Sequence, residues 1–77
     1  MVMVNVGFYN FVPAENIVAI MTPNLDSVER AVNRAKGASK FLDATKGRDV
    51  KGVIFTENGD VISSKLMPTV IANRVDF

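Results

Sequence analysis

The stretch Asp43-Ala44-Thr45-Lys46-Gly47-Arg48-Asp49 holds the densest chemistry in this chain. Lys46 and Arg48 flank a glycine, which lets backbone N–H groups approach an anion while two cations supply charge, the parts of a phosphate-gripping corner. The same residues also read as an ordinary exposed turn. No Gly-x-x-x-x-Gly-Lys-Ser/Thr loop is present, which excludes a Walker-type nucleotide site. Asp43 has no partner carboxylate or imidazole beside it, and it reads as the residue that fixes the turn by accepting backbone N–H groups. Asp43 and Asp49 lie six residues apart across a turn, a spacing that gives no reason for convergence on one substrate.

Elsewhere the inventory is thin. The chain has no His and no Cys, so the usual general base, the usual nucleophile and the ligands of a transition-metal site are all missing. The expectation is a protein that is not an enzyme, with no metal, no cofactor and no small-molecule substrate. The charges are unevenly spread. Residues 1–29 carry three acids and no base, whereas residues 30–51 carry Arg30, Arg34, Lys36, Lys40, Lys46, Arg48 and Lys51 against Asp43 and Asp49, a local net of +5 inside a chain of net +1. Such a stripe is a candidate for contact with a polyanion, or else a solvated helix face followed by a charged turn. Phe8, Tyr9 and Phe11 have the chemistry to stack on bases, but no basic residue is interleaved with them, so they read as core or subunit interface. Asn5 and Asn10 read as turn residues. Met1, Met3, Met21 and Met67 read as packing.

The elements that would position these residues follow from periodicity. Val2 to Val6 reads as a strand, and the segment from Asn10 to Pro23 as two short strands about a turn at Pro13–Asn16, with Ile17 to Met21 the clearer one and Pro13 marking an edge. Val28, Ala31, Val32 and Ala35 recur at the spacing of one buried helical stripe. Asp26 and Glu29 suggest a capping box, and Gly37 a stop. Arg30 and Arg34, four apart, project side by side on the opposite face with Lys36. FLDAT then reads as a strand, KGRD as its turn, and VKGVIFT as the next strand with Val53, Ile54 and Phe55 covered on both faces. Asn58-Gly59 predicts a type I′ hairpin turn into VISS. Pro68 opens a closing helix in which Met67, Ile71 and Val75 recur beside Val70. The sum is one α+β domain over residues 1–77, a small largely antiparallel sheet with a central basic helix and a short C-terminal helix.

A chain of 77 residues buries only about 60% of its unfolded surface, and this one has no disulfide to help it. Its 48% hydrophobic content exceeds what one small core hides easily, which predicts association with further copies. No apolar run approaches the roughly 20 residues of a membrane span, and the start lacks the positive region of a signal peptide. A cytoplasmic protein is expected.

The order of motifs is more specific than any one of them: NVGFYN near the start, TP ahead of the basic helix, LDATKGR after it and PTVIANR in the closing helix. Together, from about Val4 to Arg74, they resemble the RemA family of bacterial extracellular-matrix regulators. The resemblance implies a small DNA-binding activator of biofilm matrix genes, a fold similar to LytTR-type DNA-binding domains, and homo-oligomeric rings that hold double-stranded DNA around a basic outer surface. In that family the DAT-x-Gly motif is followed by two arginines that serve DNA binding, and a third precedes the second strand. Arg48 matches the first. Asp49 stands where the second is expected and Asn16 where the third is. The resemblance thus points to Arg48, with Lys46 and Lys51 around it; the charge stripe adds Arg30, Arg34, Lys36 and Lys40 as candidate compensation.

Overall fold

Branched apolar residues build the centre of the molecule. In the computed structural model, which describes residues 2–75, strands β1 (Met3–Asn5) and β2 (Phe11–Pro13) pair antiparallel, and one 3₁₀ turn (Ala14–Asn16) leads into β3 (Ile17–Met21). Helix α1 (Asp26–Gly37), β4 (Phe41–Ala44), β5 (Gly52–Thr56), β6 (Val61–Ser64) and helix α2 (Pro68–Val75) follow. The larger sheet has the order β3-β5-β6-β4, so the domain is α+β as its sequence suggests. Met1, one of the four methionines read as packing, lies outside the described residues, as do the last two residues of the closing segment.

Alternation along the strands sends side chains to two layers. Ile54, Ile62 and Ala44 face Val4 and Val12 of the small sheet, Val6 just after β1, and Ile71 and Val75 of α2. Val53 and Val61 face Val28 and Ala35 of α1, with Val32, Phe41, Phe55 and Met21 packed around them. Because both faces are covered, the run Val53-Ile54 is buried without a break, while Phe55 stays half-buried.

Several local expectations give way to the tertiary arrangement. FLDAT and VKGVIFT are not neighbours across KGRD: β6 lies between them, antiparallel to β5 and parallel to β4, with Ala44 beside Ser64. The β5–β6 hairpin closes a short loop at little entropic cost, and all four β6 residues are buried, the environment of an inner strand. Leu42 and Asp43 of β4 are exposed and suit an edge. The hairpin turn is not type I′ either. Gly59 has φ 84 but Asn58 is not left-handed, Gly59 N–H reaches Thr56 O at 3.1 Å and Thr56 N–H reaches Asp60 O at 3.1 Å, the pattern of a three-residue loop with a bulge at glycine. The Thr56 hydroxyl accepts Asp60 N–H at 3.1 Å and holds that wider closure.

Both ends of α1 differ from the sequence reading. Leu25, extended at φ −90 and ψ 136, is the cap and offers no side-chain acceptor, so Asp26 and Glu29 lie inside the first turn and act through the helix dipole, not as a capping box. Gly37 stays helical, and Ser39 takes the left-handed position at φ 59. Lys40 N–H then reaches Ala35 O at 2.8 Å and Ser39 N–H reaches Lys36 O at 3.3 Å, a Schellman closure. The reversal falls there because Lys40 O must accept Val61 N–H, at 2.9 Å, to align β4 with β6. In α2, Ile71 and Val75 are buried as expected, but Met67 and Val70 are exposed, since Met67 caps the helix through its carbonyl to Val70 and Ile71 N–H and its side chain lies outside the stripe. Met3 is exposed too, so that among the described residues Met21 is the methionine packed on the core.

Candidate nucleic-acid interface

Asp43 does fix the corner. Its Oδ1 accepts Thr45 N–H at 2.9 Å, the Thr45 hydroxyl at 2.6 Å and the Ser63 hydroxyl at 3.1 Å. Thr45 is buried and depends on this one acceptor. The Thr45 hydroxyl, then its backbone N–H, with lesser help from Ser63 and Lys36, hold the Asp43 carboxyl below its ordinary value of 3.8 although desolvation opposes them. A carboxyl whose folded pKa is depressed contributes stability that is complete above its unfolded pKa and lost as pH falls through its folded pKa. Asp43→Asn is therefore expected to melt below the wild type at neutral pH, the gap narrowing once the pH drops under 3.8. Thermal scans across that range check it, and a gap that stays constant with pH refutes the assignment.

Beyond Thr45 the chain turns back at once. Arg48 N–H donates to Thr45 O at 3.1 Å, and Lys46 and Gly47 have φ 52 and 81, the signs of a type I′ turn. The turn expected at Asn58-Gly59 is thus found at Lys46-Gly47, where a non-glycine residue is held left-handed and both flanking cations stand exposed. Asp49 follows them, also exposed.

Against this corner lies the loop Gly7–Asn10. Gly7 N–H donates to Asn5 Oδ1 at 2.9 Å, Asn10 Nδ2 donates to Gly7 O at 2.7 Å, and Val6 N–H donates to Asn10 O at 2.8 Å, so both asparagines are turn residues as read. Arg74 of α2 adds a bond to Asn5 O at 2.7 Å, and the buried Ser64 hydroxyl donates to Val6 O. So held, Phe8 and Tyr9 sit at φ 48 and 61. None of the three aromatics belongs to the core of the chain: Tyr9 is 84% exposed, Phe11 53% exposed and Phe8 half-buried. Bases absent around Phe8 in the sequence are present in space. Lys65 Nζ lies 4.7 Å from its ring centroid, Lys46 Nζ 5.2 Å and Arg48 Cζ 5.9 Å.

Lys65 was not in the basic stripe read from the sequence. It follows β6 directly, and the parallel β4–β6 pairing brings it beside the residues that follow β4. Lys51 belongs to the same end of the sheet, its N–H bonded to Ser64 O at 2.8 Å. Of the other four candidates, Lys36 stays near the corner, in one groove with Val50 and Ser63 and close enough for its charge to lower the Asp43 pKa. Lys36 Nζ sits 4.9 Å over the Phe41 ring, and Lys40 Nζ donates to Asn58 O at 3.0 Å at the hairpin end of the sheet. Arg34 lines a groove with Lys40, Phe55 and Gly59, and Arg30 is exposed on α1. Asn16 also belongs to the hairpin end, its carbonyl accepting Glu57 N–H at 2.9 Å. The stripe is therefore not one band: Lys40 and Arg34 lie toward the hairpin end of the sheet, away from Lys46, Arg48 and Lys51.

A family model described as RemA-like, extracellular matrix regulatory protein A-like, matches residues 3–75. The chain is 40% identical over 74 residues to a protein of Lachnoclostridium phytofermentans, covering 96% of this chain and 81% of that one. It is 39% identical over 72 residues to a protein of a Synechococcus strain, covering 94% and 81%, and 38% identical over 72 residues to one of a Nostoc strain, covering 94% and 82%. The names of these relatives give a regulatory role and nothing finer, which points to regulation and not to turnover of a substrate.

Proposed function

The chain belongs to the RemA-like family, and from that premise we propose that it is a DNA-binding regulator of extracellular-matrix genes that works as a homo-oligomeric ring. The observation that carries the DNA reading is the exposed turn that holds Lys46 and Arg48 outward at one end of the sheet, with Lys51 next to them. Guanidinium and ammonium groups on a rigid turn suit phosphate oxygens, so the contacts this corner makes are to the backbone and selectivity comes from DNA shape. Ring formation has its own support. Val18, 64% exposed on the β3 edge, and Leu42, 48% exposed on the β4 edge, put different apolar surfaces on opposite sides of one sheet, the requirement for a head-to-tail contact that closes. Copies joined that way repeat the cationic end around the assembly, which raises its field well above that of one nearly neutral subunit.

Light scattering after size exclusion is expected to give a mass several times the 8.4 kDa of one chain. Duplex binding by that species is expected to fall steeply with salt, and Arg48→Ala to weaken it at every salt concentration. A monodisperse 8.4 kDa particle refutes the ring, and binding indifferent to Arg48→Ala refutes this interface. One observation favours a second reading: Asp49 places a carboxylate directly after Arg48. A ring of the same fold that has given up DNA and engages a protein partner is the alternative.

A further inference from the structure

We propose that Lys65 is a further phosphate-contacting residue of the duplex interface, and that Phe8 is the positioning residue that gathers Lys65, Lys46 and Arg48 into one site. The inference rests on the DNA reading above and names side chains that reading does not require. Two chain segments far apart in sequence deliver the cations. Lys46 and Arg48 follow β4, Lys65 follows β6, and the parallel pairing that sets Ala44 beside Ser64 makes the two exits neighbours. All three head groups then converge on one phenyl ring, at 4.7, 5.2 and 5.9 Å. The negative quadrupole of the ring face attracts each of them, but it is a weak partner for three like charges that also repel one another. An anion seated among them removes that repulsion, so the arrangement is made for one.

The placement of the ring is firm. Phe8 occupies a left-handed backbone position that its own residue type disfavours, and the Gly7–Asn10 loop is held there by Asn5, Asn10, the Ser64 hydroxyl and Arg74. Long cationic side chains lose rotamer freedom when they grip a phosphate, and heads already drawn over Phe8 have lost part of it in the free protein. The class of anion follows from exposure. Lys46, Arg48 and Lys65 are all exposed, so the cluster is an open surface on which the spaced single charges of a phosphodiester backbone can track, not an enclosure for one small anion.

The test is duplex binding by the intact protein, followed by anisotropy of a labelled duplex over a series of salt concentrations, with Arg48→Ala as reference. Lys65→Gln is expected to flatten the slope of log K against log salt by about 0.9 for each subunit that touches the DNA, about eight-fold in affinity per such subunit near 0.1 M salt. Phe8→Leu, which keeps an apolar side chain but loses the ring face, is expected to weaken binding with melting temperature and mass unchanged, and Phe8→Tyr to restore it. Lys65→Gln binding like the wild type while Arg48→Ala binds weakly overturns this inference and leaves the DNA reading standing. Phe8→Tyr as weak as Phe8→Leu removes Phe8 from the site. A wild type that leaves duplex DNA unshifted at low salt overturns the DNA reading and this inference with it.

Discussion

Asp49→Arg is expected to tighten duplex binding more than any other single substitution in this chain. The side chain follows Arg48, at the end of the type I′ turn that holds Lys46 and Arg48 outward, and it is exposed, so the replacement meets no packing constraint. A carboxylate at that point repels the phosphate its neighbour attracts. Exchange for a guanidinium removes the repulsion and adds a contact of the kind the family resemblance expects there. One more neutralised phosphate steepens the slope of log K against log salt by about 0.9, which is about eight-fold in affinity near 0.1 M salt, and the gain multiplies with each subunit that meets the duplex. Binding isotherms at several salt concentrations read both the affinity and the slope. A tighter complex with an unchanged slope would mean that the introduced guanidinium makes no phosphate contact. If the wild type leaves duplex DNA unshifted at low salt and the variant binds it, the DNA reading fails for this chain and the protein-partner reading takes its place.

The second large effect is on the fold. Gly52 opens β5, and a methyl group added there would lie 2.6 Å from Leu66 O and 3.3 Å from Ile71 Cδ1. The first neighbour is backbone of the connection between β6 and α2, which cannot swing aside as a side-chain tip can. Leu66 is tied to Ser64 through its N–H at 3.0 Å, and Ile71 is fully buried in the core between α2 and the sheet. Gly52→Ala must therefore push α2 off the sheet or break the Gly52–Ser64 pairing. A loss of about 3 kcal/mol is expected, the upper end for overpacking, and at this size that is a fall in Tm of more than about 10 °C. Gly37→Ala is the control. Apart from its chain neighbours and the backbone of its own helix, no described atom lies within 4 Å of a Cβ placed there, so it is expected to be neutral or to stabilise α1 by a few tenths of a kcal/mol up to about 1. Melts at one protein concentration, needed because the proposed assembly would itself raise Tm, check the pair. Equal melting of wild type and Gly52→Ala refutes the close approach.

Much of this was legible in the residues alone. The helical stripe from Val28 to Ala35, the doubly covered run at Val53 and Ile54, the strand at Ile17–Met21, and the closing helix behind Pro68 all follow from side-chain period, because a period records which faces an element must hide. Asp43 was legible as a turn-fixing residue for a similar reason: its partners Thr45 N–H and hydroxyl are two residues away, within reach of local chemistry. The order of motifs carried the family.

The tertiary structure alone decided what those elements lie beside. Period says that β4 and β6 each have a hidden face, but nothing in it says that they run parallel and adjacent, since the pairing of strands depends on which open edge remains after the short β5–β6 hairpin has closed. Everything distinctive about the site hangs on that choice. The pairing carries Lys65, twenty residues from Thr45, to the Lys46–Arg48 corner, and it leaves Lys40, which the charge stripe had joined to that corner, at the hairpin end on Asn58. Likewise, a sequence shows that no base is next to Phe8, whereas three cations reach its ring from segments that start 38 or more residues away. Local period and turn chemistry act over a few residues, and they determined the elements. Charge convergence acts through space at the ends of strands, and only the packed sheet determines where those ends meet.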